Sequence, residues 1–332
     1  MVYIEYHRYV TPFRQKATFN SNISNWDVSN VTDMSSMFNE ATNFNQPIGN
    51  WDTSKVIRMN HMFQIATNFN QPIGDWDTSE VMYMHTMFNG ASSFNQPIGN
   101  WDTSNVEGMS HMFQNATSFN QPIGEWNTSN VMNMQMMFYG ASNFNQPIGN
   151  WDTSNVLGMA SMFNGASSFN QPIGNWDTSN VGVGLSGTPD THMFGMFFNA
   201  TSFNQNISSW CVEHMQSEPG SFNTSSGFEN NEAYQPKWGE TCSQSNPDSS
   251  DHSDHEDVHH HEDQYDHANE HGYHGQSDHD FDIPSANENE HDHSDHYTHE
   301  EDHNKHFHYH EEDNHSEEYS DSDEPLQINI LQ

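Results

Sequence analysis

The chain has 332 residues and a formal net charge of -39, with 7 Lys+Arg against 46 Asp+Glu. So few cations exclude a counterion-releasing grip on nucleic acid and disfavour docking to an anionic membrane surface. Met (19), Phe (22) and Trp (9) are abundant where Leu and Ile are scarce, which is not the composition of an ordinary globular core.

Residues 1–12 lack the apolar stretch of a signal peptide. Phe13 and Phe19 already keep the spacing of Phe38 and Phe44. The repeat register therefore nearly reaches the N-terminus, and residues 1–12 are expected to be an N-terminal leader or an incomplete cap. No 18-residue apolar run exists to span a bilayer.

From residue 13 to 204 the chain repeats itself. Trp26, Trp51, Trp76, Trp101, Trp126, Trp151 and Trp176 are spaced by 25, around a unit reading FNQPIGNWDTSNVxxMxxMFxxAxx. The apolar columns are Ile48, Trp51, Val56, Met59, Met62, Phe63, Ala66 and Phe69, each recurring one period on. One unit cannot bury such a face alone, whereas stacked units share a continuous core. Met59, Met62, Phe63 and Ala66 have the spacing of one helical face, and Asp52, Thr53 and Ser54 supply capping chemistry before it. Gly90, Gly140 and Gly165 sit near its end, where a left-handed residue is often needed. Trp51 to Val56 is expected to be a ladder strand, and Gln-Pro-Ile-Gly a turn whose Gly tolerates positive φ. The expected fold is an α/β repeat solenoid, with a short strand and a short helix in each 25-residue coil.

The register breaks once. Trp210 arrives nine residues late, placing an insertion at about 182–195; insertions in solenoids map to loops on one face. Residues 205–242 lose the motif but keep Trp210, Val212, Met215, Phe222 and Trp238, as a C-terminal capping unit does. Residues 243–332 hold 27 of the 46 acids, 18 of the 24 histidines and one lysine. Low hydrophobicity with high charge predicts a disordered tail.

The unit FNQPIGNWDTSNVxxMxxMFxxA resembles the repeat of BspA-type leucine-rich-repeat surface proteins, copies of which occur in mycoplasma lipoproteins and other bacterial surface proteins. The resemblance covers roughly residues 13–242. It implies a leucine-rich-repeat-like solenoid on the cell surface or secreted, with adhesion or host interaction as its role. The ending SSWCVEH…SEPGSF…PKWGETC also looks like that family's closing segment, which carries a Cys pair. The chain departs from the pattern in having no visible leader and in its His-rich tail.

Cys211 and Cys242 flank the cap, and a disulfide there would constrain the unfolded chain by about 3–4 kcal/mol; free thiols are the alternative reading. The column Asp27, Asp52, Asp77, Asp102, Asp152 and Asp177 stacks like charges, which a Ca²⁺ ion could relieve. The simpler reading is that each Asp caps its helix or closes an Asx-turn. The Asn column after Phe (Asn45, Asn70, Asn95, Asn120, Asn145, Asn170) reads as an amide ladder satisfying turn backbone. The column Thr53 to Thr178 would present a hydroxyl array to ice or glycan only if its side chains lie flat and exposed.

The tail is the most pointed segment chemically. His259, His260 and His261 are consecutive, His291, His293, His296 and His299 are close-set, and His306, His308 and His310 alternate. Neutral imidazoles among carboxylates suit Zn, Cu or Ni, with Cu²⁺ ahead in affinity. The alternatives are a solvated anionic spacer and a segment that gains charge below about pH 6.5. No catalytic constellation is present: His61, His85, His111 and His192 vary from copy to copy, and no phosphate-cradling Gly-rich loop precedes a lysine. The expected function is therefore a secreted or surface interaction scaffold that binds a protein or glycan, requires no cofactor and carries a metal-binding tail. The alternative is an extracellular metal-sequestering or metal-sensing protein in which the solenoid is only a scaffold.

Overall fold

The computed structural model describes residues 12–185 and 187–242. Successive 25-residue copies stack as coils, and backbone hydrogen bonds join each coil to the next. The N–H groups of Met59, His61, Phe63 and Ile65 donate to the carbonyls of Tyr83, His85, Met87 and Asn89 in the following coil, at 2.9, 3.1, 2.9 and 2.7 Å. Between them, Met62, Gln64 and Ala66 donate three residues back, to Met59, His61 and Phe63, at 3.2, 3.1 and 3.0 Å.

This arrangement replaces the helix expected over Met59–Ala66. Each copy instead runs through three consecutive turns, with His61 and Ile65 at a φ of +57° that no α-helix contains. The inward residues of such a run fall at the same i, i+3, i+4, i+7 spacing as a helical face, so the side-chain pattern alone cannot tell them apart. The backbone accounting can. A helix this short would spend its N–H groups internally and be marginal in water; the turn run gives every other N–H to its neighbour. Among the described residues the only helical segments are two 3₁₀ turns, Pro189–Met193 in the insertion and Glu232–Tyr234 in the cap.

The ladder strand expected over Trp51–Val56 is also not formed. That segment closes a turn, with Val56 N–H on the Thr53 carbonyl at 2.9 Å. Pairing falls two residues later, as single parallel bridges running Asp33, Arg58, Tyr83, Gly108, Asn133, Gly158.

The core is built from columns. Ile48, Val56, Met59, Met62, Phe63, Ala66 and Phe69 are fully buried and Trp51 nearly so, and their counterparts behave alike from copy to copy. Within one coil the Phe63 and Phe69 rings stack at 3.9 Å, and each repeats along the stack, at 5.6 Å to Phe88 and 6.0 Å to Phe94. The indoles form a third column, with Trp76 and Trp101 at 6.4 Å and 3°. Each indole N–H also reaches back a coil, as from Trp76 to the Ile48 carbonyl at 3.1 Å, so the ring pays no desolvation penalty for its polar atom.

The glycine of Gln-Pro-Ile-Gly has a different cause from the one its turn suggested. Gly49, Gly74, Gly99, Gly124 and Gly149 do not have positive φ. They are required by space, because the Pro carbonyl of the following coil would lie 2.4 to 2.6 Å from any Cβ placed there. Gly90, Gly140 and Gly165 do hold the left-handed conformation, at +71°, +65° and +69°, but inside the turn run rather than after a helix. Ile65 occupies the same position at +57°, a strained conformation for a β-branched residue.

The insertion leaves the stack intact. Met159 N–H meets the His192 carbonyl at 2.8 Å, and Trp210 stacks on Trp176 at 6.2 Å as though the copies were adjacent. The cap then ends the columns. Gly195, Phe197 and Asn199 donate to the carbonyls of Gly220, Phe222 and Thr224. Phe222 and Phe228 turn edge-on to Phe197 at 86°, so no flat ring remains for a further coil to cover. A Cys211–Cys242 disulfide closes this cap, with Cα atoms 5.4 Å apart.

Two substitutions test the packing. Ile65→Asn should raise stability by about 0.5–1 kcal/mol, since Asn adopts left-handed geometry readily and little burial is lost. Gly74→Ala should lower it by about 1–3 kcal/mol, because a backbone oxygen cannot move aside. Urea unfolding midpoints of the full chain check both.

Candidate functional site

In a stack, every coil meets nearly identical neighbours, so a position that packs against them keeps one residue in every copy. Departures concentrate on the turn-run side. The position of Ile57 becomes Met82, Glu107, Met132 and Leu157; that of Arg58 becomes Tyr83, Gly108, Asn133 and Gly158. Two and three residues on, Asn60 and His61 give way to His85 and Thr86, then Ser110 and His111. Most of these side chains are half-buried, lying against the stack without entering its core. The Arg58 guanidinium sits over the Tyr83 ring at 5.4 Å. An open groove of about 490 Å³ runs across four coils, walled by Met82, Glu107, Met132 and Leu157 and by the row Asn105, Asn130, Asn155.

The insertion opens onto this side. It leaves the coil after Gly182, whose N–H continues the same ladder to the Leu157 carbonyl at 2.8 Å. It carries two of the three large apolar side chains most exposed among the described residues, Val183 and Phe194. His192 within it has a buried Nε2 with no hydrogen-bond partner among the described residues.

Three histidines of the varied positions lie on successive coils. His61 and His85 meet edge to face at 5.1 Å between ring centres, and His61 Nδ1 lies 3.1 Å from Gln64 Oε1. Burial, helped by repulsion from His61 and His111, pushes the His85 imidazole down to about 4; burial and His61 lower His111 as well.

The other sequence candidates resolve into structural roles. Asp52 Oδ1 accepts the Ser54 N–H at 3.1 Å and its hydroxyl at 2.6 Å, an Asx-turn, and these bonds hold the carboxyl below its ordinary range. Asn127 makes the same two bonds to Ser129 without a charge, so the turn accounts for the column by itself. The Thr side chains are buried rather than displayed: Thr53 Oγ1 donates to the Asp77 carbonyl at 2.8 Å, and so on up the stack. That placement rules out an exposed hydroxyl array. The Asn ladder is present, with Asn45 Oδ1 accepting both Asn70 N–H and Gln71 Nε2 at 3.0 Å.

Among the described residues, one group of three metal-capable side chains converges, Cys211, Glu213 and Cys242. Both sulfurs are tied in the disulfide, and Glu213 Oε2 instead accepts the Cys242 N–H. The ten tail histidines proposed as metal ligands, His259 through His310, lie outside the described residues. The groove residues were missed in reading the sequence for repetition. Their signal was the opposite one, columns that change while everything around them stays fixed.

A stack of near-identical coils, ringed by constant columns and varied along one side, is a repeat protein. The chain belongs to the family described as "Mycoplasma protein of unknown function, DUF285", whose profile matches it in three overlapping stretches, residues 8–125, 46–146 and 109–238. No curated protein and no solved structure matches the chain. Among the described residues no helix is long and apolar enough to cross a membrane.

The lowered His85 and His111 have a pH consequence. Their folded values lie below the ordinary value of 6.5, so the unfolded chain binds more protons between that value and the folded one. Their contribution is complete above about pH 6.5 and is lost as pH falls below it, for His85 on the way to about 4. His85→Gln, the residue found two coils on as Gln135, should lose less stability between pH 7 and about pH 5 than the unmodified chain. Urea midpoints at the two pH values give the comparison.

Proposed function

We propose that the protein is a secreted or surface-displayed repeat scaffold of the BspA type, whose varied side binds a protein or glycan and whose His-rich tail binds transition metals. The observation that carries this reading is the separation between constant and varied positions. The constant columns are consumed by stacking, as the buried rings, the Thr hydroxyls, the Asn amides and the close-packed glycines each show, or, for the Asp column, by its own Asx-turn. Most of the residues left over lie on the turn-run side, with the insertion beside them. Curved or flat, an extended face of this kind is what repeat proteins use for recognition. The Cys211–Cys242 disulfide supports an oxidising compartment, where such bonds persist.

A second reading gives the tail the leading part. Clustered imidazoles among carboxylates bind Zn²⁺, Ni²⁺ or Cu²⁺, and the scaffold would then only present them.

Calorimetric titration of the three ions into the full chain, and into a variant with the ten tail histidines changed to Gln, tests the metal arm. Saturable binding at micromolar affinity or tighter should appear in the first and vanish in the second; equal heats in both would remove the tail's role. A screen of both proteins against extracellular proteins and glycans then separates the two readings. Ligand capture unaffected by the ten changes supports the interaction scaffold, and capture lost with them supports metal sequestration.

A further inference from the structure

The last coil departs from the others in its constant columns. Every earlier coil places Asp or Asn after its tryptophan and Ser two residues further on, as Asp177 and Ser179 do after Trp176. The last places Cys211 and Glu213 there, followed by His214. Stacking does not ask for the change, because the turn is the same. The Thr178 hydroxyl donates to the Cys211 carbonyl at 2.8 Å, as Thr53 does to Asp77. Met215 N–H closes on the Val212 carbonyl at 3.0 Å, as Val56 does on Thr53. The turn carrying Cys211, Glu213 and His214 is therefore held by the stack and not by the disulfide.

Cys242 approaches this turn from the end of the cap. Gly239 N–H donates to the Val212 carbonyl at 3.4 Å, Trp238 lies edge-on to Phe222 at 5.0 Å, and Cys242 N–H reaches Glu213 Oε2 at 3.4 Å. Both sulfurs and a carboxylate oxygen of Glu213 lie within 4.8 Å of one another. His214 Nε2 is 4.0 Å from Glu213 Oε1. A disulfide by itself has no use for the carboxylate and imidazole gathered round it. We propose that Cys211, Glu213, His214 and Cys242 bind a zinc ion when the disulfide is reduced, so that the ion closes the cap in the disulfide's place.

The reductant is a dithiol, which passes two electrons and two protons to the disulfide and itself closes to a disulfide. Zn²⁺ then displaces the two thiol protons, because the thiolate is the ligand. Bonds of about 2.3 Å from a tetrahedral ion to both sulfurs set them about 3.8 Å apart. Backbone positions 5.4 Å apart at Cα accommodate that separation. Oxygen and nitrogen donors on one zinc ion stand about 3–4 Å apart, so Glu213 and His214 are already near the required spacing. The His214 side chain is 42% exposed and has room to turn inward as the fourth ligand. Two thiolates select against Ca²⁺ and Mg²⁺, and a tetrahedral set of two sulfurs, one nitrogen and one oxygen suits zinc. The cap is then closed in reducing surroundings as well as oxidising ones. The site is separate from the varied side and from the tail, and its failure would leave both readings of the function untouched.

Cobalt(II) tests the site in the full chain, because a tetrahedral cobalt thiolate absorbs strongly through sulfur-to-metal charge transfer and carboxylate or imidazole sites do not. The chain has two cysteines, so the band reports Cys211 and Cys242 alone, whatever the tail binds. Protein reduced by a dithiol and desalted without air should develop the band on titration with Co²⁺, and excess Zn²⁺ should bleach it. The oxidised chain should show none. Glu213→Gln and His214→Gln alter exposed side chains and leave the disulfide in place. Each should weaken cobalt binding, read from the band, at least about tenfold, since even outer-shell partners of a metal cost that much. No band in the reduced chain, or unchanged affinity in either variant, overturns the proposal.

Discussion

The backbone hydrogen bonds between coils are the constraint on which everything else depends. Met59, His61, Phe63 and Ile65 each pair with a residue 24 positions on, in the next coil. That arrangement works only if every coil has the same length, because one extra residue would slide all later columns out of register. The strict period is therefore a bonding condition. It explains why the insertion is extruded as a loop while the bonds from Met159 and Phe163 reach His192 and Met196 as if no residues intervened.

Register, once fixed, dictates the columns. Phe rings must stack on Phe rings, and an indole that reaches the previous coil's Ile carbonyl must do so in every copy. The Pro carbonyl of one coil presses where the preceding coil's glycine leaves room. Methionine suits the remaining interior because its unbranched, polarisable side chain fills irregular gaps between rings. The cap is consistent with the same logic, since edge-on Phe222 and Phe228 give the last coil a surface that is not another copy of itself. What the stack does not dictate is the side where copies differ, and function is free to reside there.

The period, the buried columns, the insertion and the Cys pair were all legible in the residues. The conformation of each coil was not. Met59, Met62, Phe63 and Ala66 satisfy a helical face and a run of turns equally well, because both place inward residues at those intervals. The positive φ at His61 and Ile65 and the N–H bonds to the next coil separate them, and no residue type announces either. Gly90, Gly140 and Gly165 did hint at left-handed geometry, yet a helix end explained them just as simply. Gly74 was misread for the converse reason: glycine serves positive φ or close approach, and sequence does not say which. The Thr column could be read as exposed or buried until Thr53 was seen to donate across coils. The varied side was visible in the aligned copies all along, as the complement of the repeat.

The most direct test of this account is the measurement of scalar couplings through hydrogen bonds in selectively labelled full-length protein. The account predicts a coupling from the Phe63 amide nitrogen to the Met87 carbonyl carbon, across a 2.9 Å bond to the next coil. A coupling from Phe63 to the Met59 carbonyl instead, the pairing of an α-helix, would contradict it.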